Sequence, residues 1–203
     1  RALYENGYRD HLQVVAINEL SDIDTIAHLT KYDSTHGRFH GEVAVDGDNL
    51  VVNGDRIRVL RHPEPEELPW RLLDVDLVLE CSGAYSDRAT AEKHIEAGAR
   101  RLLFSQPGDP DVDRTVVFGI NDGDLNGQDV IVAAGSCTTN CLVPVIKVLD
   151  DAFGVEQGST TTIHAAMNDQ PVIDAYHHQD LRRTRSALHN IVPVDTGLAR
   201  GIE

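Results

Sequence analysis

Positive charge is scarce in this sequence: 18 Lys and Arg residues stand against 33 Asp and Glu, for a net charge of −15. Long-range attraction to nucleic acid or to an anionic lipid surface is thereby disfavoured, and neither is expected as a partner. Long apolar runs are missing too; none approaches the ~20 residues that a membrane span needs. No charged-then-apolar leader is visible within these residues, so no export signal is expected. Cysteine is sparse, at three residues. An odd number without a secretory signal supports no disulfide framework and points to a reducing compartment, with a cytoplasmic location as the expectation. No metal is expected.

What is present is an ordinary globular composition, 41% hydrophobic and 25% charged over 203 residues, enough for one large domain or parts of two. Residues 1–7 read as the last turns of a helix closed by Gly7. Residues 12–18 form a continuous apolar run of strand length, as a parallel strand buried on both faces would. Ser21 or Asp22 can cap a helix running to about Tyr32. From Arg38 to Leu60 apolar and polar residues alternate around Asp46-Gly47 and Asn53-Gly54, which are hairpin turn signals. Strands are then expected at 75–83, 101–105, 115–119 and 129–135, with a helix at 87–98 stopped by Gly98. Strand and helix alternate, which is the pattern of an α/β fold with a doubly wound parallel sheet. Such sheets bind ligands beyond the carboxyl ends of their strands. Glu19, Ser82, Ser105 and Cys137 all fall at such ends.

The stretch Ser136-Cys137-Thr138-Thr139-Asn140-Cys141 links the strand at 129–135 to a helix whose apolar residues recur at i, i+3, i+4 and i+7. A thiol at a helix start faces free backbone N–H groups, which favour thiolate and stabilise an oxyanion formed beside it. A nucleophile also needs a base, and His164, at the end of the strand-like run 159–164, is the best candidate. Taken alone, Cys137 also fits a small buried thiol. A Cys137–Cys141 metal knuckle lacks a second ligand pair, and a disulfide between them is poorly placed at i, i+4. Cys81 is expected to be a packed thiol. Arg182, Arg183 and Arg185 form a local basic cluster that is either a solvated face or a phosphate site.

Several blocks carry a resemblance: Ser136 to Cys141 followed by Leu-Val-Pro, His164 after Thr-Thr-Thr-Ile, and the runs 14–19, 31–39, 180–185 and 190–197. In that order the chain resembles the glyceraldehyde-3-phosphate dehydrogenase superfamily over essentially its whole length. Within it, the chain is most similar to the bacterial D-erythrose-4-phosphate dehydrogenase branch. The resemblance implies an NAD-binding domain at residues 1–135 and the start of an α+β catalytic domain at 136–203. No G-x-G-x-x-G turn occurs in the sequence. The first strand and that turn, together with the rest of the catalytic domain, are therefore expected to lie outside it. A homotetramer is implied for the full-length protein.

The resemblance also implies roles. Cys137 and His164 are catalytic. Ser136, Thr138, Arg183, Thr196 and Gly197 bind substrate, and Asn18, Glu19, Ser82, Gly83 and Ser105 bind NAD. An acidic residue at Glu19 favours NAD over NADP, since it accepts from ribose hydroxyls and repels a 2′-phosphate. The implied reaction is oxidation of a phosphorylated aldose through a cysteine thiohemiacetal and thioester. The branch implies D-erythrose 4-phosphate as substrate and a place in pyridoxal phosphate biosynthesis. Glycolytic glyceraldehyde-3-phosphate oxidation is the alternative. Met167 bears on this choice, because typical three-carbon enzymes place a threonine there; Gly197 fits them as well. A cysteine hydrolase and a non-catalytic NAD-binding protein are the rivals from other classes.

Overall fold

The computed structural model describes residues 1–167, 170–177, 180–194, Thr196 and Leu198. Ten strands and four α-helices follow one another along these residues: α1 (Ala2–Glu5), β1 (Ala16–Asn18), α2 (Ile23–Lys31), β2 (Tyr32–Asp33), β3 (Gly37–Arg38), β4 (Val43–Asp46), β5 (Asn49–Val52), β6 (Asp55–Leu60), β7 (Leu77–Glu80), α3 (Arg88–Glu96), β8 (Arg101–Phe104), β9 (Arg114–Thr115), β10 (Ile131–Ala133) and α4 (Cys137–Phe153).

Local chemistry accounts for most boundaries. Asp22, Asp87 and Ser136 each accept the backbone N–H three residues on, capping α2, α3 and α4. The pairing Val52↔Asp55 leaves Asn53-Gly54 as a two-residue turn. Their φ values of 48° and 89° give the left-handed geometry that suits the twist of a hairpin. Gly98 closes the region after α3 at φ 115°, where an added Cβ would lie 2.4 Å from Arg71. Only glycine meets both demands.

The strands make two four-stranded sheets, ordered β1-β6-β5-β4 and β7-β8-β10-β9. The second is parallel throughout, with Glu80, Phe104 and Ala133 in register at the ends of β7, β8 and β10. In the first, β1 runs parallel to β6, while β4, β5 and β6 form an antiparallel meander. This is a Rossmann-type α/β fold. One buried cluster, including Trp70, Val78, Leu102, Phe104 and Ile131, lies beneath the parallel sheet. Another, including Ile26, Phe39, Leu50 and Ile57, lies beneath the meander. No helix among the described residues is long and apolar enough to cross a membrane.

Several expectations are corrected. The strand at 12–18 shortens to Ala16–Asn18, the part that finds partners on β6. β7 is buried on one face only: Val78 and Glu80 point into the core, while Leu77 and Leu79 are exposed. The short strand at 115–119 becomes Arg114–Thr115, because the Val117 N–H donates to Asn121 Oδ1 and turns the chain away. Residues 154–167 contain no strand, so His164 does not sit on one. They are exposed, no strand among the described residues pairs with them, and a β ladder needs a partner. Cys81 is exposed rather than packed.

Candidate active site

Cys137, Ser82 and Ser105 follow the carboxyl ends of strands in the parallel sheet. Beyond β10 the chain turns through Gly135 at φ 68° and enters α4 at Cys137. Asn140 fixes that turn: its Nδ2 donates to the carbonyls of Ala134, at 2.7 Å, and Ser136, at 2.9 Å. Ser136 Oγ accepts the Thr139 N–H at 2.9 Å and lies 2.7 Å from Thr139 Oγ1. Cys137 is thereby held in the first turn of a 17-residue helix, among N–H groups that carry partial positive charge. Sequence reasoning gave Asn140 no role; its position one helical turn after Ser136, which lets it reach back to the strand end, was the available signal.

Cys137 Sγ lies 3.2 Å from His164 Nε2. The Thr138 hydroxyl lies 3.9 Å from the same sulfur. His164 Nδ1 lies 2.7 Å from the Ala165 carbonyl, which can only accept, so this nitrogen carries a hydrogen. That contact and the neighbouring sulfur hold the His164 ring above its ordinary pKa. The Cys137 thiol is pulled below its ordinary value, chiefly by the hydrogen bond with His164, with Thr138 assisting against modest burial. Both shifts favour a thiolate beside an imidazolium. Both groups are exposed to a reagent or substrate. The arrangement can perform nucleophilic attack on an electrophilic carbon with a proton acceptor alongside.

Two further sets of residues lie at strand ends. Ser82 and Gly83 follow β7, and Ser105 follows β8 beside Ala134, whose N–H donates to the Phe104 carbonyl. At Gly83 an added Cβ would meet no atom within 4 Å, so the turn presents open backbone. Glu19 follows β1 in the other sheet; Oε1 accepts the Ser21 N–H at 3.2 Å, leaving Oε2 open. The Asn18 amide is committed elsewhere: it donates to the His62 carbonyl at 2.9 Å and accepts the His62 N–H at 3.0 Å. It braces the loop after β6 against the end of β1.

A family model described as glyceraldehyde 3-phosphate dehydrogenase, NAD binding domain, matches residues 1–88. A second, the C-terminal domain of the same family, matches residues 136–203. The chain belongs to the glyceraldehyde 3-phosphate dehydrogenase family. It is an NAD-dependent dehydrogenase of that family, and its cofactor is NAD. The described residues fit that cofactor: an open acceptor oxygen on Glu19 suits a ribose hydroxyl, and the unobstructed Ser82-Gly83 turn allows close backbone approach.

The other residues expected to bind substrate lie in the segment after His164. Arg183 Nε donates to the Pro193 carbonyl at 3.4 Å, and the Thr196 hydroxyl accepts the Leu198 N–H at 3.2 Å. Gly197 lies outside the described residues. The basic cluster has acidic partners: Arg182 pairs with Asp180 at 2.7 Å and Arg185 with Asp174 at 2.6 Å. Ser186, unremarked in the sequence, organises this loop through its N–H to Asp174 Oδ1 and its hydroxyl to the Val172 carbonyl. Among the described residues no group of three or more His, Cys, Asp and Glu side chains could hold a metal.

Proposed function

We propose that the protein oxidises D-erythrose 4-phosphate to 4-phosphoerythronate, with Cys137 as nucleophile and His164 as base. The observation that carries the chemistry is the 3.2 Å approach of Cys137 Sγ to His164 Nε2 at the start of α4. In this reading the thiolate attacks the aldehyde carbon, and the carbonyl oxygen takes a proton from the imidazolium to give a thiohemiacetal. The Ser136-to-Thr138 turn presents N–H groups to the developing oxyanion. His164 then removes the hydroxyl proton, and loss of hydride from the same carbon leaves a thioester on Cys137. When bound, NAD supplies the acceptor for that hydride. Water resolves the thioester, releasing the acid and regenerating the thiol. Asn18, Glu19, Ser82, Gly83 and Ser105 form the NAD side of the site, with Asn18 acting through His62. Ser136, Thr138, Arg183, Thr196 and Gly197 form the substrate side. The domain boundary proposed between these halves is Gly135/Ser136.

Substrate choice rests on Met167. It lies three residues beyond His164; its N–H donates to Gln170 Oε1 and its carbonyl accepts the Gln170 N–H. A thioether offers no hydroxyl donor to a phosphate, and one missing charge-assisted hydrogen bond is worth about 1.5–3 kcal/mol. This disfavours the three-carbon substrate, whose phosphate the family's threonine helps to hold. The experiment compares kcat/KM for erythrose 4-phosphate and glyceraldehyde 3-phosphate, with and without inorganic phosphate. Preference for the four-carbon sugar, independent of phosphate, is the expected result. A strong phosphate-dependent preference for glyceraldehyde 3-phosphate would establish the glycolytic reaction instead.

A further inference from the structure

Two buried ionisable side chains have no part in the chemistry above. His94, on α3, is 4% exposed and Glu80, the last residue of β7, is 8% exposed. They are linked. The Trp70 indole N–H donates to His94 Nδ1 at 3.0 Å, and His94 Nε2 faces Glu80 Oε2 at 3.6 Å. The other carboxylate oxygen, Glu80 Oε1, accepts the Ser82 N–H at 2.7 Å. The Glu80 backbone carbonyl in turn accepts the Ser105 N–H at 3.0 Å. Glu80 therefore holds the backbone N–H groups of both serines at the strand ends.

The polarity of this chain is fixed from its buried end. An indole N–H can only donate, so His94 Nδ1 accepts and the ring hydrogen sits on Nε2, directed at the carboxylate. Burial pushes the Glu80 carboxyl up, but the His94 ring and the Ser82 contacts outweigh it and hold the group below its ordinary value. The carboxylate accepts the Ser82 N–H, while the buried His94 Nε2 faces its other oxygen at 3.6 Å, beyond hydrogen-bond distance, as an electrostatic neighbour. A charged acceptor inside the fold holds its donors firmly because an unmet partner there is costly.

We infer that Glu80 and His94 are positioning residues for the cofactor: the Trp70–His94–Glu80 chain sets the Ser82-Gly83 turn, and Ser105 beside it, in the arrangement that binds NAD. The inference rests on the reading that these strand ends hold NAD. It goes beyond that reading by assigning the affinity to a buried network that never touches the ligand.

The test uses Glu80→Gln, His94→Gln and His94→Asn, with NAD dissociation constants, thermal midpoints and backbone amide exchange as readouts. In Glu80→Gln one end of the amide must present a donor to a donor, whichever way it faces. NAD binding should weaken about tenfold, a single charged hydrogen bond's worth, and the Ser82 amide should exchange faster. His94→Gln keeps a donor near Glu80, whereas His94→Asn keeps only the acceptor for Trp70. His94→Gln should therefore bind NAD more tightly than His94→Asn, even where their melting temperatures agree. A folded Glu80→Gln protein with unchanged NAD affinity and unchanged Ser82 exchange overturns the inference, as do His94 variants whose affinities simply track stability. Should no variant fold, the unsubstituted chain still decides: a Ser82 amide exchanging as fast as in an unstructured peptide refutes the grip. Failure of the unsubstituted full-length protein, with its pyrophosphate turn, to bind NAD at all would instead remove the reading of the strand ends.

Discussion

Three thiols are exposed in this chain, at Cys81, Cys137 and Cys141, so access alone does not direct a reagent to one of them. The difference is the company each keeps. Only Cys137 combines a position in the first turn of α4 with a histidine nitrogen 3.2 Å away. Its folded pKa is depressed, so its thiolate is present from that lowered value upward, and the raised pKa of His164 keeps the partner charged over the same lower range. Below a thiol's pKa, each unit of depression multiplies the thiolate fraction by about ten. Limited alkylation with iodoacetate at mildly acidic pH should therefore mark Cys137 alone, read by peptide mass mapping. His164→Asn should move the alkylation profile up toward the ordinary thiol range. Equal labelling of Cys81, or an unmoved profile, would end the assignment. Glu19 carries a second residue-scale expectation. Glu19→Ala should erode the preference for NAD over NADP, seen as a falling ratio of their kcat/KM values, because the charge that repels a 2′-phosphate is gone.

At the scale of elements, the start of α4 is held by neutral hydrogen bonds that can be removed singly. Ser136→Ala deletes the cap on the Thr139 N–H, at a cost of about 1 kcal/mol. For a chain of this size that lowers the melting temperature by about 2–4 °C. Asn140→Ala releases two carbonyls at the strand-to-helix turn and should cost at least as much. It should also slow alkylation of Cys137, because the turn no longer fixes the thiol. Elements of this kind were partly legible in the sequence. Caps and turns are local, so Asp22, Asp87, Asn53-Gly54 and the Cys137 helix start could be read from a few neighbouring residues. The strand at 159–164 could not be judged that way, since a strand exists only if another segment pairs with it. The single buried face of β7 has the same origin, because periodicity does not reveal whether a second layer arrives. Asn18 bound to His62, and Trp70 to His94, are contacts across 44 and 24 positions, beyond the reach of any local pattern. The Cys137–His164 pairing could be expected because residue types and order, rather than packing, point to it.

Over the whole molecule, acid tolerance follows from the carboxylates. Asp113 Oδ2 accepts the N–H groups of Val130 and Ile131, each at 2.8 Å, and its other oxygen meets Arg88. Burial raises its pKa, but these donors outweigh that and leave it depressed. Asp129, hydrogen-bonded by the Asn126 N–H and Arg114, is likewise depressed, and Arg182 draws Asp180 down to about 2. A depressed folded pKa contributes stability that is fully present above the unfolded value, about 3.9 for aspartate, and is lost as pH falls through the folded value. Asp180 is exposed enough for solvent to screen its share, so the greater weight falls on Asp113, which joins α3 to β10 across the parallel sheet. The net charge of −15 acts the other way at neutral pH, where mutual repulsion among acidic groups opposes compaction until protonation relieves it. Stability is therefore expected to be flat or to rise slightly as pH drops from 7 toward 5, then to collapse below about 4 as the paired aspartates protonate. Asp113→Asn should lower stability at pH 7 and flatten the acid limb of the curve. Urea midpoints measured across pH by circular dichroism check both. Parallel curves for Asp113→Asn and the unsubstituted chain below pH 5 would show that Asp113 is not a principal source of the acid transition.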